Sequence, residues 1–159
     1  MNELLNLLKQ NALESPENLA KMLGISVEDV KQQIAEYEKD GVIRAYQAVV
    51  NEERLDASLV TTVIEVKVTP ESEGGFDRIA DRISRFPEVD SVFLMSGGFD
   101  LLLFIKGRTM HEAFGFVSEK LATMPGITST ATHFMMKTYK QNGIVMHTGE
   151  DDERLKVSP

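Results

Sequence analysis

The sequence predicts an α+β protein in two parts, a helical unit over residues 1–50 followed by a unit of mixed strands and helices. Three observations predict it. Apolar residues before Gly41 recur at helical spacing, the run just after Gly41 turns β-branched and aromatic, and from Leu59 on strand-like runs alternate with two helical ones.

Leu4, Leu5, Leu7 and Leu8 form one helical stripe, so the spacing predicts a first helix over 2–12. Ser15-Pro16-Glu17 supplies an N-cap, a proline suited to the first helical turn and an acid that favours the dipole. The short helix it opens carries Leu19, Ala20, Met22 and Leu23 and stops at Gly24. Ser26-Val27-Glu28-Asp29 has the spacing of a capping box, and Val30, Ile34 and Tyr37 carry a third helix to Gly41. Residues 42–50 then suit one or two extended segments, a wing or a tether strand.

The run LVTTVIEVKV over 59–68 predicts the first strand of the second unit, closed by turn residues over 70–75. Phe76, Ile79, Ile83 and Phe86 recur at helical spacing up to Pro87. Strands are expected over 89–95 and 99–105, joined as a hairpin through Ser96-Gly97-Gly98. Thr109 to Glu112 is a capping box, opening a helix expected to place Phe114, Val117, Leu121 and Met124 on one face. Pro125-Gly126 stops it, and a last strand is expected over 127–139. The order βαββαβ is the ferredoxin-like arrangement, four strands with both helices on one face. Strands such as VFLM and LLLFI are apolar at consecutive positions, so the other face also needs cover, and a second copy of the chain supplies it most simply. The domains expected are therefore 1–50, a linker over 51–57, the sheet domain over 58–141 and a polar tail over 142–159, within which IVMH can add an edge strand or an arm.

Composition narrows the function. The chain has no cysteine, which removes disulfides and thiolate metal sites, and three widely spaced histidines make no metal set. No run is apolar enough to span a bilayer and no secretory signal opens the chain, so a cytoplasmic protein without membrane partners, cofactor or metal is expected. The net charge of −8 weighs against nucleic acid, because neutralising phosphates usually takes a basic patch.

The helical unit nevertheless has the spacing of a helix-turn-helix. Ala20 falls where two helices cross closely, Gly24 at the turn four residues on, and Val30 ten residues on at the buried heart of the second helix. That helix would enter the major groove of double-stranded DNA. Gln32 or Gln33 can make the paired contact to adenine, Glu28 can accept from cytosine, Ser26 with the helix N-terminus can hold a phosphate, and Lys31 and Arg44 can add phosphate charge. Acids outnumber bases here, ten to six over residues 1–54. Modest affinity per monomer, raised by avidity, is the expectation.

Together, LAKMLGIS, EKDGVIRAY, SGGFDLLLFIKG and LATMPGITSTATHFMMK resemble the Lrp/AsnC, or feast/famine, family over nearly the whole chain. The resemblance implies a transcription regulator with an N-terminal winged helix-turn-helix and a ferredoxin-like sensor and dimerisation domain. It also implies homodimers, in many members tetramers or octamers, and an amino acid held between subunits. Two departures stand out: members commonly carry an Asp-containing leader before the first helix, and a basic pair where this chain has Gln32-Gln33.

For the effector, Gly97 and Gly98 let the backbone approach a ligand, and Asp100 can bind an ammonium group. The hydroxyls of Thr128, Thr130 and Thr132 can meet a carboxylate. A glycine pair and strand threonines are also what a tight hairpin and an ordinary strand use. An enzyme is the alternative, since a branch of this architecture decarboxylates sirohaem through histidine and arginine residues. His133 is the comparable candidate here, with His111 in a helix cap and His147 in the tail. A third reading is a modulator that has lost DNA binding.

Overall fold

In the N-terminal unit Leu4 and Leu8 of α1 (Glu3–Gln10) meet Leu19 and Ala20 of α2 (Pro16–Leu23) and Val30 of α3 (Val27–Lys39), and these five buried residues are its core. Ile34, Tyr37 and Ile43 pack on their edge. The computed structural model describes residues 2–55, 59–69, 75–107 and 109–146, in two compact units divided between Val49 and Val50. The expected turn over 70–74, the linker residues 56 and 57, and the tail from 147, with His147, lie outside the described residues.

α2 and α3 begin on the caps their sequence predicts, and α1 on an Asn2 cap that was not foreseen. The Asn2 side chain accepts from the Leu4 amide at 2.9 Å, Ser15 Oγ from Asn18 at 3.2 Å, and Ser26 Oγ from Asp29 at 3.0 Å. Gly24 ends α2 with φ of 66°, a left-handed conformation that glycine adopts without steric cost. The extended segment expected over 42–50 is not a strand. Its residues make no ladder bonds, because the unit they leave is wholly helical and offers no sheet edge to pair with.

In the C-terminal unit β1 (Val60–Val68), α4 (Asp77–Ser84), β2 (Val89–Leu94), β3 (Leu101–Gly107), α5 (Met110–Gly115, continuing through Phe116–Leu121) and β4 (Ile127–Phe134) follow in the expected order. The strands make one sheet in the order β2-β3-β1-β4, antiparallel throughout. Ile64, Val66, Leu101, Leu103 and Ile105 point to the helices and pack with Ile79, Ile83, Phe116, Leu121 and Met124. Strand alternation turns Val63, Glu65 and Lys67 of β1, Leu102 and Phe104 of β3, and Phe93 of β2 to the opposite face. There Phe93 and Phe104 meet edge to face, with centroids 6.1 Å apart.

Three expectations are corrected. Phe114 is exposed and Ala113 and Phe116 take its place in the core, while Leu121 and Met124 are buried as expected with Val117 packed against them. The cause is a widened stretch of α5 over Phe116–Leu121, marked by the Ala122 amide bonding back five residues to the Val117 carbonyl, which shifts the buried stripe off regular spacing. The last strand ends at Phe134 rather than Tyr139, because its partner β1 begins at Val60 and the Met135 amide takes the last bond, to Thr61. The third strand runs from Leu101 to Gly107 rather than 99 to 105. After it the chain forms a small hairpin, β5 (Lys140–Gln141) with β6 (Ile144–Val145), through Asn142 and Gly143 at φ of 48° and 87°. The hairpin is tied down where Asn51 Nδ2 donates to the Met146 carbonyl and the Thr138 amide donates to Glu53.

Candidate nucleic-acid interface and ligand cleft

α3 presents Glu28, Lys31 and Gln32 to solvent, while Gln33 is half-buried and Arg44 stands exposed beyond the Gly41 turn. Gln32 is not free to swing: its Nε2 donates to Glu36 Oε1 at 3.0 Å, one helical turn on. Ser26 both accepts from the Asp29 amide and donates to the Asp29 carboxylate at 2.7 Å. Its single hydroxyl proton is therefore engaged, and the Asp29 charge already occupies the helix N-terminus where a phosphate would sit. Within the helix Glu28, Asp29, Glu36 and Glu38 oppose Lys31 and Lys39. Glu38 in turn accepts from the Tyr46 hydroxyl at 2.9 Å, and partial burial followed by that carboxylate raises the Tyr46 phenol above its ordinary value.

The second candidate site is a shallow cleft of about 130 Å³ on the sheet face away from the helices. Of the residues expected to hold an effector it brings together Gly98 and Thr130, and it adds Glu65, Lys67, Phe99 and Ser129. Gly97 adjoins it at φ of 141°. Thr130 and Thr132 pair with Val66 and Ile64, whose side chains face the helices, so strand alternation turns both threonines away from the cleft face; Thr130 still borders the cleft and Thr132 stays outside the lining. Asp100 is held elsewhere: its carboxylate accepts from the Val68 amide at 2.8 Å, where β1 shifts register against β4. Thr128 donates to the Lys67 carbonyl at 3.1 Å across the same irregularity. Both side chains thus complete backbone bonds that a bulge would otherwise leave open.

Glu65 and Lys67 carry the opposite charges of this cleft, and sequence reasoning passed over them. The signal was present, since two residues apart on a strand they must share a face. Glu65 also meets His133 Nε2 at 3.3 Å. Among the described residues no three His, Cys, Asp or Glu converge as a metal would require, and no helix is long and apolar enough to cross a membrane.

Comparison with known proteins matches both units. Residues 2–44 match the winged helix-turn-helix DNA-binding family and residues 61–145 the Lrp/AsnC ligand binding domain. The chain is 47% identical to the HTH-type transcriptional regulator YugG of Bacillus subtilis, over 99% of this chain and 95% of that one. It is 30% identical to the leucine-responsive regulatory protein of Escherichia coli K12, over 91% and 88% of the two chains. In fold it is similar to a Neisseria meningitidis transcriptional regulator solved with L-Met, with TM-score 0.71, 21% identity and coverage of 89% and 93%. Escherichia coli AsnC is also similar, with TM-score 0.67, 19% identity and coverage of 87% and 91%. The helix-turn-helix, the βαββαβ sheet and these matches along nearly the whole length agree, and the chain belongs to the Lrp/AsnC family of DNA-binding transcription regulators.

Proposed function

We propose that this regulator works in the cytoplasm as a homodimer or a higher oligomer that binds operator DNA through Lys31, Gln32, Gln33 and Arg44 and responds to a free amino acid. The observation that carries the effector half is that Glu65 and Lys67 line one cleft with Gly98. A zwitterion needs an acceptor for its ammonium and a donor for its carboxylate, and these two side chains supply both, with Phe99 beside them. Asp100 serves this cleft by holding β1 where it faces the β4 bulge rather than by meeting the ligand.

The oligomer half rests on the open sheet face, where Phe93 is 50% exposed beside Leu102, Phe104 and Val63. A second copy covers such a surface with a matching one, and two helix-turn-helix units then share one operator. Avidity offsets an acidic reading helix.

Fluorescence anisotropy on DNA from upstream of the protein's own gene, with and without each of the twenty amino acids, tests the reading. One or a few amino acids should change the apparent affinity, and E65Q and K67M should each blunt that response while leaving ligand-free binding intact. Unchanged response in both variants would remove the cleft from the proposal. Absence of any binding at low salt would favour the modulator reading, and loss of carbon dioxide from added sirohaem would favour the enzyme.

A further inference from the structure

A second cavity, sharing no residue with the effector cleft, lies where the end of β3 meets α5. Its volume of about 300 Å³ is at the lower end of what small-molecule sites use. Ile105, Ala113 and Phe116 give it an apolar floor, and Glu88, Lys106, Glu119 and Lys120 stand around it.

The way α5 is built leaves this space open. Gly115 sits inside the helix at a negative φ, where glycine costs roughly 1 kcal/mol relative to alanine. No packing demands that glycine, because a Cβ built on it meets nothing within 4 Å. The widened stretch of the helix begins at the next residue, and the Ser118 hydroxyl, donating to the Phe114 carbonyl at 3.0 Å, covers backbone that the widening loosens. A bare glycine and a widened turn thus coincide at the wall of one cavity, and widened turns of this kind occur often at functional sites.

Charge then selects the ligand. Lys120 is paired with Glu88, and Lys106 with Glu52 at 2.8 Å and Asp90 at 3.4 Å, so both ammonium groups are already neutralised. Glu119 has no ion-pair partner among the described residues, and Glu88 Oε2 is buried without a hydrogen bond. Among the described lining residues an anion would find no unpaired ammonium group, whereas a cation finds the Glu119 carboxylate above an apolar floor.

We propose that this cavity is a second small-molecule site, separate from the amino-acid cleft, that takes an aliphatic amine, with Glu119 accepting the ammonium and Phe116 and Ile105 packing the chain. The test is a titration of the full chain, labelled with nitrogen-15, with cadaverine at constant ionic strength. Saturable shifts are expected at the Gly107, Gly115 and Phe116 amides. E119Q should weaken binding roughly tenfold, as loss of one charge-assisted hydrogen bond implies. G115L should abolish the shifts while the chain stays folded, since its side chain enters open space and favours the helix; circular dichroism and the melting temperature check that fold. Shifts that sodium chloride reproduces, that never saturate, or that persist in G115L would overturn the site. Neither result bears on the effector cleft, which E65Q and K67M report separately.

Discussion

Thr62 shows how a single atom weighs on stability. Its side chain is fully buried on the helix-facing side of β1, yet among the described residues its Oγ1 has no hydrogen-bond partner. Burying a hydroxyl unpaired costs about 1–3 kcal/mol, and valine has nearly the same shape without that cost. T62V should therefore raise stability by about 1 kcal/mol in urea denaturation. Glu88 works in the opposite direction. The Lys120 hydrogen bond holds its carboxyl below the ordinary value, against a smaller opposing effect of burial. A carboxyl lowered on folding adds stability that is complete above its unfolded pKa and is lost as pH falls through its folded one. K120M should lose that contribution, and its acid unfolding, followed by circular dichroism, should begin at higher pH than in the parent chain. Both residues were silent in the sequence, because a threonine in a strand and a Glu-Lys pair 32 positions apart reveal nothing until the sheet and α5 are assembled.

At the scale of elements, α3 is a reading helix whose charge opposes its task. Lys31 and Gln32 are adjacent and exposed but should fail differently. K31A should weaken binding to all DNA sequences alike and lower the slope of log affinity against log salt by about 1. Q32A should instead relax preference at one base pair, by about 1–3 kcal/mol if its amide reads adenine. Competition anisotropy at several salt concentrations separates the two. The caps of this helix and of α2 were legible because they depend on residues three positions apart. The stripe of α5 was not: its widened turn moves Phe114 outward, and regular spacing cannot foresee an extra residue in a turn. The β5–β6 hairpin was missed although Asn142-Gly143 announces it, a dipeptide suited to two successive positive-φ positions.

For the whole molecule, the open sheet face is the surface on which assembly would depend. F104D places a charge in the middle of its apolar patch, beside Phe93 and Val63. Because Phe104 points away from the helices, the unit should still fold, while sedimentation equilibrium should show a shift toward monomer. DNA affinity should then drop through lost avidity, by a factor between about 10² and 10⁴. A variant that stays dimeric would move the interface elsewhere.

The sequence by itself determined the helix-turn-helix, its caps and the βαββαβ order, because each follows from local spacing: apolar period, capping pairs and turn residues act within a few positions. Only the tertiary structure decided where functional side chains are spent. It placed Asp100 and Thr128 on β1 backbone groups opposite the β4 bulge, left Glu65 and Lys67 to charge the cleft, and left residues 42–50 outside any strand. The physical reason is that a buried or irregular backbone group must find a partner, and which side chain reaches it depends on strands far apart in sequence coming into register.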